Sequence, residues 1–303
     1  MNLSITRAVR RSGILWLCAL SAPFVVHADD PVAQRAVVYD RVRGELSPGT
    51  EAPSSERMVN AIRSAAPTAL TAMLEYGERV ECMECIPLLE RKLLNADDGR
   101  VREIAAWWLR RRPFGYGRIA TRMRTVLTED ADPERRSRAA EALGEFLDVG
   151  GLPALSRAAI EDGTSEVRLS AVRALGRLNA RAGQTVLVSA FEDEDALVRR
   201  AALDQVLRLN FWQDDEALVA RLADEDASVR QRAAQLAGEL DVEIAVASLI
   251  ERLGSDDAPA VRKAAAWALG RIGGADAGTA LRDASESERD PGVQDALSVA
   301  LAM

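Results

Sequence analysis

An all-α solenoid, a superhelix of stacked helical hairpins, is the fold class that this sequence predicts. Three observations predict it. A unit of about 32 residues recurs along most of the chain. Inside each unit the apolar residues fall at helical spacing. The chain is 48% hydrophobic yet only 4% aromatic, so its core must be assembled from small aliphatic side chains at close range.

The elements follow in chain order. Arg7, Arg10 and Arg11 precede an apolar run from Ile14 to Val26, interrupted by Ser21 and Pro23 and ending at Val26-His27-Ala28. Residues 1–28 therefore read as a cleaved secretory signal. A membrane anchor is the alternative, but the run is short against the ~20 residues of a span. Cys18 is not placed as a lipoprotein acceptor, because bulky Leu17 stands before it. The expected destination is the bacterial periplasm. Cleavage removes three arginines and no acid, so the net charge moves from -8 to -11. It also removes His27, the only histidine. A chain without histidine runs no Ser-His-Asp or Cys-His mechanism and forms no His-ligated metal site. No catalytic residue, metal or cofactor is expected. The acidic balance argues against nucleic acid, whose phosphates need a positive surface. No later segment is long and apolar enough to span a bilayer, so the expected partner is another protein.

Residues 29–56 read as an N-terminal helix, Pro31 to Gly44, followed by a linker holding Pro48, Gly49 and Pro53. Residues 57–84 read as a helical cap or degenerate repeat, with helices over Arg57–Ala65 and Pro67–Tyr76. Residues 85–303 read as an array of about seven helical hairpins.

The array carries the clearest pattern. An arginine recurs at 102, 136, 168, 199, 230 and 262, at spacings of 34, 32, 31, 31 and 32. Around it stand stretches such as Val101-Arg102, Val167-Arg168 and Val261-Arg262, each running into alanines and leucines. Ala171, Ala174, Leu175 and Leu178 share one helical stripe. A second apolar helix lies between copies, over Leu152–Ile160, Thr185–Phe191, Ala217–Leu222 and Ile244–Leu253. Gly150-Gly151, Asn179, Gly183 and Gly273-Gly274 punctuate the joints. One hairpin cannot bury both faces, so neighbours must stack.

The unit of Asp, a short gap, Val-Arg, two small residues and Ala-Leu-Gly resembles the HEAT repeat, in the short bacterial form also seen in phycobilin-lyase-like proteins. Residues Asp162, Val167-Arg168 and Ala174-Leu175-Gly176 carry it well. The resemblance covers roughly residues 85–303 and implies a fold far more than a function. It implies that Asp130, Asp162, Asp193, Asp224 and Asp256 form a ladder with Arg102, Arg136, Arg168, Arg199, Arg230 and Arg262 across neighbouring repeats. A ligand-binding charge row is the functional alternative. The end copies depart from the pattern. Arg110 stands where Gly belongs and Gln294 replaces the arginine, as caps do.

Three features offer chemistry. Cys82-Met83-Glu84-Cys85 is an even pair once Cys18 is removed. A local disulfide or dithiol, a redox-active pair and half of a zinc site remain open for it. Residues 104–128 hold Arg110, Arg111, Arg112, Arg118, Arg122 and Arg124 and no acid, with Trp107, Trp108, Phe114 and Tyr116 interleaved. This island is either a solvated face with inter-helix salt bridges or a docking patch for an acidic partner. Trp107 and Trp267 share one register, six residues after the Val position. Other copies place Glu141, Arg173, Asp204 and Gln235 there, so the register faces outward. An exposed contact site and packing beneath a loop are the two readings.

Two functions from different classes follow. One is an exported, non-enzymatic scaffold that holds another protein through Trp107, Arg110, Arg111 and Arg112, with Trp267 as a second contact. The other is an enzyme. Deoxyhypusine hydroxylase resembles this chain in fold only, since its iron sites need His-Glu pairs. A lyase-type enzyme using the solenoid groove, or a thiol-redox role of Cys82 and Cys85, is the remaining form of it.

Overall fold

The computed structural model describes residues 52–113 and 115–303. The leader, the helix expected over 31–44 and Phe114 lie outside the described residues. Residues 51–303 form one compact unit. It contains sixteen α-helices and no strand among the described residues. They pair as α1 (Ser55–Ser64) with α2 (Pro67–Tyr76), α3 (Cys85–Asn95) with α4 (Gly99–Arg110), α5 (Tyr116–Glu129) with α6 (Pro133–Phe146), and α7 (Leu152–Glu161) with α8 (Ser165–Leu178). Then come α9 (Arg181–Ser189) with α10 (Ala196–Gln205), α11 (Asp215–Ala220) with α12 (Ala227–Glu239), α13 (Val246–Ser255) with α14 (Pro259–Ile272), and α15 (Ala275–Ser287) with α16 (Pro291–Ala300).

Short polar residues set where the second helix of each pair begins. Asp98, Asp132, Asp195, Asp226 and Asp290 each accept a backbone N–H of the first turn. That satisfies donors which a helix start otherwise leaves open. Pro133, Pro259 and Pro291 add a preset φ at the first position. Asn179 ends α8 in the left-handed region, at φ 46°, which Asn tolerates better than most residues.

The even-numbered helices pack in one row, α2 on α4, α4 on α6, and so on to α14 on α16. Their inner positions are alanines without exposure, among them Ala139, Ala140, Ala202, Ala234 and Ala265. Glycine brings the rows closer still. A Cβ on Gly144 would stand 2.9 Å from Cα of Ala174, and one on Gly270 would stand 2.8 Å from Cα of Ala300. This is how an aromatic-poor chain closes its core: backbone approaches backbone, and dispersion between small groups replaces ring burial. The core runs without a break from Met58 to Ala300.

One hairpin departs from the pattern. The helix expected over 217–222 is only six residues long, Asp215–Ala220, followed by a 3-10 turn. Phe211 and Trp212 pack before it. The Trp212 ring lies 6.0 Å from buried Phe191, and its Nε1 donates to Asp215 at 3.1 Å.

Candidate interaction surface

The repeated arginines sit at the start of the even helices and each makes two kinds of bond. Nη1 donates backward to the carbonyl six residues earlier, as from Arg136 to Asp130 at 3.0 Å and from Arg168 to Asp162 at 2.9 Å. The rest of the guanidinium reaches the acid of the following hairpin. Arg136 grips Asp162 through two bonds of 2.8 Å, and Arg168 grips Asp193 at 2.8 and 2.9 Å. Arg199 holds Asp224 and Arg230 holds Asp256 in the same fork. Arg262 closes the row on Glu288 at 2.7 and 3.1 Å. Bidentate geometry suits the planar guanidinium. Each acid also accepts the backbone N–H two residues on, so Asp162 receives Thr164 and Asp256 receives Ala258.

The electrostatics follow. Burial works to raise the carboxyls of Asp162 and Asp256, but the bonds from Arg136 and Arg230, the Thr164 and Ala258 amides and the nearby arginine charges together outweigh it and hold both below the usual range. Arg262 and the Asp290 and Arg289 amides hold Glu288 down at about 2.

Two ladder assignments need correction. Arg102 and Asp130 do not meet. Nε of Arg102 donates to Glu141 at 2.9 Å, and the Asp130 carboxylate takes Arg135 at 2.8 Å. The reason is that α3 packs on α6 at this step, which changes how the hairpins face each other. Glu288 was not singled out from the sequence. Its signal was there: it stands six residues before Gln294, whose Nε2 donates to the Glu288 carbonyl at 2.8 Å as the arginines do in their own copies.

The arginine island is free of acid only along the chain. Arg111 pairs with Glu78 at 2.8 Å, Arg122 with Glu90 at 2.9 Å and Arg124 with Asp148 at 2.7 Å. Arg110 donates to the Glu145 carbonyl at 3.0 Å. Arg112 is a correction to the contact set, because it is only 3% exposed. Its guanidinium lies 3.9 Å over the Trp108 ring and donates to the carbonyls of Val80, at 2.8 Å, and Glu78. Burial lowers its pKa against the pull of Glu81 and Glu78.

Trp107 and Trp267 are half-buried rather than fully exposed, and both pack against the core. Each has an arginine four residues on above its ring, Arg111 at 4.0 Å and Arg271 at 5.9 Å. Such stacks combine cation–π attraction with a wide apolar face.

Cys82 and Cys85 are joined as a disulfide, and neither is more than 1% exposed. Cys85 opens α3, and its backbone N–H points to the Cys82 sulfur at 3.2 Å. Among the described residues no group of three His, Cys, Asp or Glu side chains stands together as a metal cage. No described helix is long and apolar enough to cross a membrane.

A family model and one solved structure agree with this architecture. A family model for HEAT repeats matches residues 120–208 and 216–302, more than half of the chain. No curated protein matches. Among solved structures, the chain resembles YibA of Escherichia coli at 13% identity and a TM-score of 0.57, over 91% of this chain and 99% of that one. It also aligns with the complex of CpcE and CpcF of phycocyanin lyase from Nostoc sp., at 18% identity and a TM-score of 0.36, over 84% of this chain and 97% of that one. Human deoxyhypusine hydroxylase aligns at 21% identity and a TM-score of 0.36, over 90% and 98%.

Proposed function

Since the chain belongs to the HEAT-repeat family, we propose that it is an exported, non-enzymatic scaffold that holds another protein in the bacterial envelope. One observation carries the reading. The ladder arginines and their acids are spent inside the array, whereas the Trp107–Arg111 and Trp267–Arg271 stacks repeat one partly exposed motif on two helices of the even row. Trp and Arg are the residues most often found as binding hot spots. The docking residues are Trp107, Arg110 and Arg111, with Trp267 as the second contact. Arg112 is left out because it is buried. The positive leader segment and its apolar run support export. The chain left after cleavage has no histidine, which supports a non-enzymatic role. The buried cysteine sulfurs give no support to a redox enzyme, since thiol exchange needs access.

The test is affinity capture from envelope extracts with the wild type, Trp107→Ala and Arg111→Glu, after circular dichroism has shown equal helix content. Both variants should lose partners that the wild type retains. The electrostatic part should weaken with salt, because surface charges are screened beyond ~8 Å at physiological ionic strength. Capture of the same partners by all three proteins would overturn the reading.

A further inference from the structure

We propose that the step from α4 to α6 is a hinge, on which residues 55–112 rock as one body against the array that starts at α5. Six steps join the seven hairpins from α3–α4 to α15–α16. Four of them bring a glycine of one even helix against the next: Gly144, Gly176, Gly238 and Gly270. Five carry the arginine fork, from Arg136–Asp162 to Arg262–Glu288. The α4–α6 step alone has neither. Arg110 occupies the glycine register at this step.

Single polar ties span this step instead, beginning with the bond from Nε of Arg102 to Glu141 at 2.9 Å. Nη1 of Arg135 donates to Asn95 at 2.9 Å, Nη1 of Arg138 to the Leu94 carbonyl at 3.0 Å, and Nη1 of Arg110 to the Glu145 carbonyl at 3.0 Å. On the odd-helix side, Arg118 and Arg122 reach across to Glu90 while staying 71% and 61% exposed. Exposed ion pairs contribute little and are easily exchanged with water.

Unfilled space flanks the step on both sides. A cavity of about 180 Å³ opens between α4, α6 and α8, lined by Arg102, Glu141 and Arg173 among others. A groove of about 530 Å³ lies between Glu90 of α3 and Arg118, Thr121, Arg122 and Thr125 of α5. Tilting α3 and α4 on α6 would widen one and narrow the other without breaking a helix. The body that moves is tied to itself. The disulfide closes its turn, Trp108 donates to the Gly77 carbonyl at 3.1 Å, and Arg112 holds Val80. Gly115, at φ +97°, provides the joint. The apolar core continues through the step, so the motion is a rocking and not a detachment.

The experiment is pulsed electron–electron resonance on the whole folded chain. Spin labels are carried on a keto amino acid, so that the disulfide stays intact. One pair replaces Arg91 and Thr125 and spans the hinge; a second replaces Arg157 and Thr185 and spans a step that has the fork. All four positions are exposed. The distance distribution of the first pair should be at least about twofold broader. Its mean should shift when salt rises from about 0.1 M to about 1 M, which cuts the screening length from ~10 to ~3 Å. Equal widths for the two pairs at both salt levels would overturn the hinge. Arg138→Ala, which removes one tie, should broaden the first pair and leave the second as it was.

Discussion

Arg199 and Asp224 form a closed fork, with Nε 2.9 Å and Nη2 2.8 Å from the two carboxylate oxygens and both residues buried between consecutive hairpins. Each side chain has its remaining valences filled, Arg199 by the Asp193 carbonyl and Asp224 by the Asp226 amide. Breaking the pair leaves Arg199 with the exposed Glu225 carboxylate at 3.2 Å as its counter-charge.

Asp224→Ala should cost about 3 kcal/mol, the low end of the range for removing one partner of a buried pair, because the Glu225 carboxylate at 3.2 Å still faces Arg199. Arg199→Met with Asp224→Leu should cost less than Asp224→Ala alone, because no buried charge is left behind. Urea midpoints of the two variants and the wild type check this. A double variant less stable than the single one would show that the fork is held by geometry specific to these side chains.

Gly144→Ala should destabilise the array by about 1–3 kcal/mol, as overpacking does. The added methyl would meet the backbone of α8 at Ala174, which cannot swing aside. Gly183→Ala is the counterpart. Its methyl would find only side-chain carbons of Leu152 and Leu175 at 3.7 Å, so the gain of about 0.5–1 kcal/mol in helix preference should prevail. Thermal melting of both variants decides whether their shifts have opposite signs.

Acid should loosen the C-terminal end of the ladder in a defined window. The Glu288 carboxyl falls from an ordinary 4.5 to about 2 in the folded chain. Its contribution is complete above pH 4.5 and is lost as the pH drops through about 2. Asp162 and Asp256, also held low, add to the same slope. Glu288→Gln should flatten the fall in stability between pH 4.5 and 2. Superimposable profiles of midpoint against pH for variant and wild type would remove Glu288 from the account.

Cys82→Ser with Cys85→Ser should leave the chain folded. The bridge encloses two residues, so its entropic effect is below the ~3 kcal/mol of a 15-residue loop. Arg112 and Trp108 hold the same turn through the carbonyls of Val80, Glu78 and Gly77. Arg112→Ala should cost more than the double serine variant, since stranded carbonyls lose about 1–3 kcal/mol each. Denaturation of the two variants, each with equal helix content at the start, gives the order.

The hairpins were legible because the Val-Arg register repeats where backbone packing allows only small residues, as at Ala171 and Ala174. What stayed hidden was whatever depends on residues distant in the chain. Arg110 to Arg124 looked unpaired because their acids, Glu78, Glu90 and Asp148, lie outside the run, and Arg110 is held by the main-chain carbonyl of Glu145. Trp107 looked exposed because its register is charged elsewhere. A large ring at that place folds partly onto the core under its own Arg111. The short α11 was hidden for another reason. The repeat length is kept at 31 from Arg199 to Arg230, and residues moved from helix to loop leave the period unchanged.

Each ladder arginine is anchored backward by a carbonyl of its own hairpin and reaches forward for a carboxylate of the following one. The array therefore has a direction. Read toward the C-terminus, every folded hairpin presents a positioned cation, and the next hairpin arrives carrying the matching anion. Growth by one unit at that end needs no rearrangement of the units already in place, and the row stops where Gln294 replaces the arginine and leaves no cation to match. A chain emerging N-terminus first meets these requirements in their natural order. The same directionality means that a hairpin can be inserted or deleted between any two forks with the chemistry of both junctions conserved, so the length of the array is free to vary while its bonding rule is fixed.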